Sequence, residues 1–199
     1  MTVNRIAKIS LAIILLALFS SCIKDDNATV LLPLPIGDIQ GVTLPDGMID
    51  HIHVNEGTDP PGIMGKYVAD AMTIDFASDE YWNNEFYTLY MSFTSVVGRH
   101  TTTYLEKQNS SSASTTYSRV IGSGNDFTVY FISDMADPRE SWSCKMLTII
   151  SGTVSSSGID NFEYSNAMIE KTDPYNKIMA AGDYHIFNNN GKLVRRAEW

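Results

Sequence analysis

His51-Ile52-His53, with Glu56 close behind, is the first grouping in this 199-residue chain whose residue types and spacing suit chemistry. On an extended segment the two imidazoles share a face, as half of a metal site requires. No third ligand is evident, so no metal is expected and solvent-facing histidines are the simpler reading. Carboxylates offer a second possibility: Asp134 and Asp137 stand near Arg139 and Glu140, and Asp79 stands beside Glu80. Two acids facing each other across a cleft hydrolyse glycosides, yet acids are common in the loops of any acidic chain. Nucleophiles are fewer. There is no Gly-x-Ser-x-Gly elbow, the serine runs at 110–112 and 155–157 suit turns, and Cys144 beside Lys145 has no histidine near it in sequence. A buried structural cysteine is expected there. Gly122-Ser123-Gly124 lacks the third glycine and following helix of a dinucleotide site and reads as a hairpin. No catalytic residue and no cofactor site is expected. Tyr81, Trp82, Trp142 and Tyr175 offer a different chemistry, set as they are near Asn83, Asn84 and Asn176. Aromatic faces with polar neighbours stack on sugar rings or cover an apolar ligand, although the same residues could plug the end of a domain.

What must position these residues is a set of strands. From residue 65 onward period-two segments recur at 67–76, 85–97, 100–107, 115–121, 127–133, 143–154, 159–171, 183–188 and 192–199. Val, Ile, Thr, Tyr and Phe dominate them and none sustains a 3.6-residue period, so the fold class is all-β. The short connections demand antiparallel pairing. Those after the second, fourth, sixth and eighth segments are tight, the last being Asn189-Asn190-Gly191, whose Asn-Gly pair suits a hairpin. Those after the first, third, fifth and seventh are longer: 77–84, 108–114, 134–142 and 172–182. In an up-and-down meander alternate connections lie at the same end, so Tyr81, Trp82, Trp142 and Tyr175 would share one rim.

Gly65-Lys66-Tyr67 opens the first strand where lipocalins have Gly-x-Trp, and in strand number and connection pattern residues 63–199 resemble the lipocalin and calycin-like barrels. The resemblance implies a single antiparallel up-and-down β-barrel of eight to nine strands, with its ligand mouth at the end carrying the longer loops. A two-sheet β-sandwich is the alternative. Residues 85–97 are apolar on both faces, with Tyr87, Leu89, Met91 and Phe93 against Phe86, Tyr90 and Val96. Residues 127–133 repeat the pattern, with Phe127, Val129 and Phe131 against Tyr130 and Ile132. A barrel with an apolar interior accommodates this when part of its outside is also covered, whereas a sandwich with one inner face predicts cleaner alternation.

Residues 1–26 set the address. Arg5 and Lys8, an apolar run over 9–19 broken only by Ser10, and Ser20-Ser21 before Cys22 together form a secretory signal peptide. The run is about half the ~20 residues that a membrane-spanning helix needs. The small-small-Cys ending resembles a bacterial lipoprotein processing site, which implies cleavage after residue 21 and lipid on the Cys22 sulfur. Lys24, Asp25 and Asp26 resemble the export tag of Bacteroidota lipoproteins, which implies the outer surface of the outer membrane. Stable anchoring takes more than one acyl chain, palmitate or similar. Residues 22–62 then form a tether, since five of the seven prolines fall within 27–62 and disfavour helix and central strand. Fully extended, 27–62 would span ~120 Å. Yet 30–36 is too apolar for a free linker and 48–54 alternates like a short strand, which leaves docking of part of the tether on the domain open.

Without residues 1–21 the chain carries 12 basic against 23 acidic residues, a net charge of −11. Such a surface excludes nucleic acid as a partner and any grip on anionic lipid beyond the anchor. With Cys22 acylated, Cys144 has no partner for a disulfide, so packing alone must hold the 63–199 domain. The expectation is a non-catalytic surface lipoprotein that binds a small hydrophobic or glycan ligand at the long-loop end of its barrel. A structural or accessory subunit docking on an outer-membrane protein is the alternative, and a glycan-active enzyme the third reading.

Overall fold

The computed structural model describes residues 38–39, 42–80, 87–97, 99–108 and 113–198. The signal segment 1–21, Cys22, Lys24, Asp25, Asp26 and the proline-rich stretch 27–37 lie outside the described residues. Two short strands, β1 (Asp38–Ile39) and β2 (Val42–Thr43), pair with each other, a 3-10 turn covers Met48–Asp50, and β3 (Thr58–Asp59) follows. The remainder is strand: β4 (Gly65–Ala77), β5 (Tyr87–Val97), β6 (His100–Lys107), β7 (Ala113–Ser123), β8 (Asp126–Asp137), β9 (Trp142–Val154), β10 (Gly158–Thr172), β11 (Tyr184–Asn188) and β12 (Val194–Arg196). The chain is all-β, and among the described residues no helix is long and apolar enough to cross a membrane.

Strands β4 to β10 pair antiparallel in sequence order, and β11 pairs with both β10 and β4. One sheet therefore closes on itself as a ring of eight hydrogen-bonded strands. β12 adds no ninth member. It pairs with β10 at Gly158 and Ile159 and with β4 at Tyr67 and Val68, in the same gap that β11 fills further along. The expected hairpin at Asn189-Asn190-Gly191 is thus a correction: β11 and β12 run one after the other as a single stave interrupted by a bulge. Asn190 and Gly191 have the positive φ that an Asn-Gly pair provides (56° and 67°), but the turn bends the chain out and back into line. The Asn190 side-chain amide donates to the Ala71 carbonyl at 3.2 Å, where β4 has its own register shift between Ala69 and Met72. Paired irregularities on adjacent staves keep the ladder closed across the bulge.

The connections 78–86, 108–112, 138–141 and 173–183 leave from one end of the ring, as the alternation requires. The third is shorter than expected. β8 runs on to Asp137 and β9 begins at Trp142, with the two residues facing each other in register, so Asp134 and Asp137 belong to a strand and not to a loop.

Two apolar clusters hold the fold. One fills the ring with Tyr67, Met91, Phe93, Phe127, Val129, Ile150, Ile159, Phe162 and Val194, and Ile63 caps it at the tight-turn end, where its carbonyl accepts the Tyr67 hydroxyl at 3.0 Å. The other lies outside, where Leu44, Met48 and Ile52 cover Ile121, Tyr130, Leu147, Ile149 and Ile186. Residues 44–59 are therefore seated on the sheet. The expected short strand over 48–54 is instead a 3-10 turn followed by irregular chain, because its hydrogen bonds go to side chains: the Asn55 amide to Thr128 Oγ1 (2.8 Å) and the His53 amide to Glu163 Oε2 (2.6 Å). Beyond them β3 adds a parallel pairing to Gly122 and Ser123 of β7. The two-faced apolarity of β8 follows, with Phe127, Val129 and Phe131 inward and Tyr130 and Ile132 under the docked segment.

Candidate functional site

The tight-turn end is packed, whereas among the described residues the end bearing the 173–183 connection holds two hollows. A cavity of about 260 Å³ lies within the ring, lined by Tyr87 and Leu89 of β5, Leu105 and Lys107 of β6, Phe131 and Met135 of β8, Met146 and Thr148 of β9, Tyr164 and Asn166 of β10 and Phe187 of β11. These are inward positions on six of the eight strands of the ring. A second hollow of about 510 Å³ shares Tyr87, Lys107 and Phe187 with the first and extends outward past Asp79, His185 and residues 176–180.

An aromatic corner forms the floor. The Phe187 ring meets Tyr87 edge-on at 5.9 Å and Tyr164 at 5.5 Å, and the Lys107 ammonium lies 4.3 Å over the Tyr87 ring. Lys107 borders both hollows, so the ammonium and the Tyr87 face stand together at the lip. Polar groups are few and placed: Thr148 donates to Asn166 Oδ1 at 3.0 Å, and His185 Nε2 lies 2.9 Å from Asp79 Oδ1 at the outer wall. Burial pushes the Tyr87 phenol far up, with Tyr164 beside it raising it further. Burial likewise pushes Tyr164 up to about 12, although its hydrogen bond with Asn166 works in the other direction. Both phenols are therefore protonated at neutral pH. They offer hydrogen bonds and flat apolar faces, not a phenolate base. A mostly apolar cavity with a few convergent polar groups is the ordinary form of a small-molecule site.

The outer wall is tied down by the 173–183 connection. Burial disfavours the Asp173 carboxylate, but the amides of Ile178 (2.9 Å) and Tyr175 (3.3 Å) and the Lys171 ammonium (3.4 Å) hold its carboxyl below the usual range. Lys177 in the same connection pairs with Glu140 of the neighbouring one.

Of the four aromatics singled out in sequence, Tyr81 and Trp82 lie outside the described residues. Tyr175 is 67% exposed beside Asn176 and Lys177, which do line the outer hollow, and the Lys177 ammonium sits 5.5 Å over its ring. Trp142 opens β9 at the same end, partly buried, and lines neither hollow. The acids have structural partners: Asp137 accepts the amides of Arg139 (2.9 Å) and Glu140 (3.3 Å), Glu140 meets Lys177, and Asp79 meets His185. His51 stacks on Phe76 at 3.6 Å, and no group of three metal-ligating side chains occurs among the described residues. Cys144 is buried, its thiol pushed up by burial and by the Asp134 carboxylate. Residues missed in sequence are Lys107, Tyr164, His185 and Phe187. The alternation of Tyr184-His185-Ile186-Phe187 carried the signal, since two of its four side chains had to face inward. No protein-family model, no curated protein and no solved structure matches this chain.

Proposed function

We propose that this chain is a non-catalytic lipoprotein of the outer-membrane surface whose strand ring is an up-and-down, lipocalin-like barrel that binds a small apolar or glycan ligand at its long-loop end. The observation that supports the binding is the aromatic-floored cavity of Tyr87, Tyr164 and Phe187 with Lys107 at its lip. An apolar or sugar face would stack on the Phe187 corner, and Lys107 and Asn166 would orient its polar groups. Tyr175, with Tyr81 and Trp82, would extend the contact outward. The address rests on the signal peptide, on Cys22 as the acylated residue and on Lys24, Asp25 and Asp26 as the export tag.

Two measurements test this. Labelled palmitate should enter the chain at Cys22 and be lost in Cys22→Ser, and the protein on intact cells should be open to added protease; failure of either removes the address. The full chain in a non-ionic maltoside should bind the fluorescent probe anilinonaphthalene sulfonate saturably or score on a glycan array, and Phe187→Ala should weaken that binding at least tenfold with unchanged circular dichroism. Binding that survives Phe187→Ala moves the site elsewhere. Absence of binding, with capture of a discrete outer-membrane protein, would favour an accessory subunit.

A further inference from the structure

Outside the ring, away from the cavity, three polar side chains stand in a transverse row. His100 of β6 is the register partner of Arg119 of β7, and Arg119 is the register partner of Tyr130 of β8. Side chains directly opposite on adjacent antiparallel strands have Cβ atoms about 5 Å apart, so the three form one contiguous patch. Arg99 joins it from the β5–β6 turn, where its carbonyl accepts the Val120 amide at 2.7 Å. The row borders the covered outer cluster, to which Tyr130 belongs.

Arg119 makes the patch unusual. It is only 8% exposed, yet its Nε has no hydrogen-bond partner, and no carboxylate pairs with it among the described residues. A guanidinium taken out of water without a counter-charge is strongly unfavourable, and buried charges are ordinarily paired. Its neighbours compound the imbalance. Burial and the Arg119 charge both hold His100 below its usual range, while the Tyr130 phenol, raised by burial, is drawn back down by Arg119 and Arg99. Both guanidinium fields thus bear on the Tyr130 phenol, in a chain whose net charge is −9. An oxyanion would supply the counter-charge that the Arg119 guanidinium lacks, and the planar fork of Arg suits carboxylate and phosphate oxygens.

We propose that Arg119, Arg99, His100 and the Tyr130 hydroxyl form an oxyanion site on the outer face of β6–β8 that takes the phosphate or carboxylate group of a small solute. The site is separate from the cavity within the ring and does not depend on ligand binding there.

Calorimetric titration of the full chain in a non-ionic maltoside tests it, with inorganic phosphate in one arm and acetate in the other, which tells a phosphate site from a carboxylate site. Saturable binding of either anion at millimolar concentration or below is expected, weakened at least tenfold in Arg119→Leu and several-fold in Arg99→Gln. Phosphate stabilises folded proteins non-specifically by exclusion from their surface, so an equal response of wild type and Arg119→Leu overturns the proposal. So does the absence of saturable binding to both anions. Should Arg119→Leu fail to fold, Arg99→Gln and His100→Gln decide, and undiminished affinity in both overturns it.

Discussion

Cys144 shows how a residue's chemistry is set by its strand position. In sequence it stands beside Lys145, which would activate a thiol; in β9 the two side chains point to opposite faces. The thiol is buried opposite Met135 in the β8–β9 ladder, and burial together with the field of the neighbouring Asp134 carboxylate pushes its pKa up. A raised pKa means less thiolate at any given pH, and the thiolate is the reactive form. Alkylation by iodoacetamide at pH 7.5 should therefore be at least tenfold slower in the native protein than in urea, and Asp134→Asn should speed it. Equal rates in native and unfolded protein would refute this. The reading of Cys144 as a buried, inert residue was legible because a lone cysteine in a strand with no histidine nearby is rarely anything else. The cavity was less legible. Tyr87 stood in one of two apolar faces of β5 with nothing to mark its face as the inner one, and which aromatics of other strands meet it depends on stagger around the ring. His51 likewise carried no sign that it would stack on Phe76, a partner fixed only by the path of residues 44–59.

At the scale of elements, nine strand segments were readable because β-branched and aromatic residues recur at period two throughout. The pairing of the last two was not readable. Asn-Gly specifies a local backbone shape, and that shape serves a bulge as well as a hairpin; what chose the bulge was the gap between β10 and β4, which only one stave can fill. The docked segment was half-legible, since the alternation over 48–54 suggested contact with the domain, but that alternation read as a strand where the chain forms a 3-10 turn and bonds to side chains. Gly158 controls how β12 completes the stave. A Cβ there would sit 1.9 Å from the Val194 carbonyl oxygen, and its φ of 157° is one that L residues rarely adopt. Gly158→Ala should therefore push β12 off β10, exposing the Val194 side of the core, at a cost of about 3 kcal/mol. Urea unfolding measures the loss, and amide exchange should rise first at Val194 and Arg195. A variant as stable as wild type would mean that the 155–157 turn relaxes freely and that β12 is not held by close approach at Gly158.

For the whole molecule, closure has two consequences that meet in one prediction. Among the described residues, β11 and β12 fill the gap between β10 and β4, so each of the eight strands of the ring has a neighbour on both sides. Closure also sets Tyr87 and Tyr164 on the floor of the hollow, where burial disfavours the phenolate. Tyr87 and Tyr164 line the same cavity, and Tyr164 adds to the cost of ionising Tyr87 that burial sets. Their folded pKa values lie above the unfolded value of about 10. Their contribution to stability is thus complete below pH 10 and is lost as pH rises towards 12 and beyond, because the unfolded chain releases these protons first. The slope is about 1.4 kcal/mol per pH unit for each phenol ionised in the unfolded chain but not in the folded one. Urea midpoints should therefore fall steadily above pH 10, and absorbance at 295 nm should show phenols that ionise only as the near-ultraviolet dichroism disappears. Burial raises Tyr67, Tyr130 and Tyr184 as well, so the wild-type slope is a sum. Tyr164→Phe isolates the cavity's share. It removes one ionisation and the repulsion that Tyr164 exerts on Tyr87, so it should flatten the alkaline decline and let Tyr87 ionise earlier, leaving stability at pH 7 within about 1.5 kcal/mol of wild type. A decline as steep as before would mean that Tyr164 takes no part in the alkaline loss of stability.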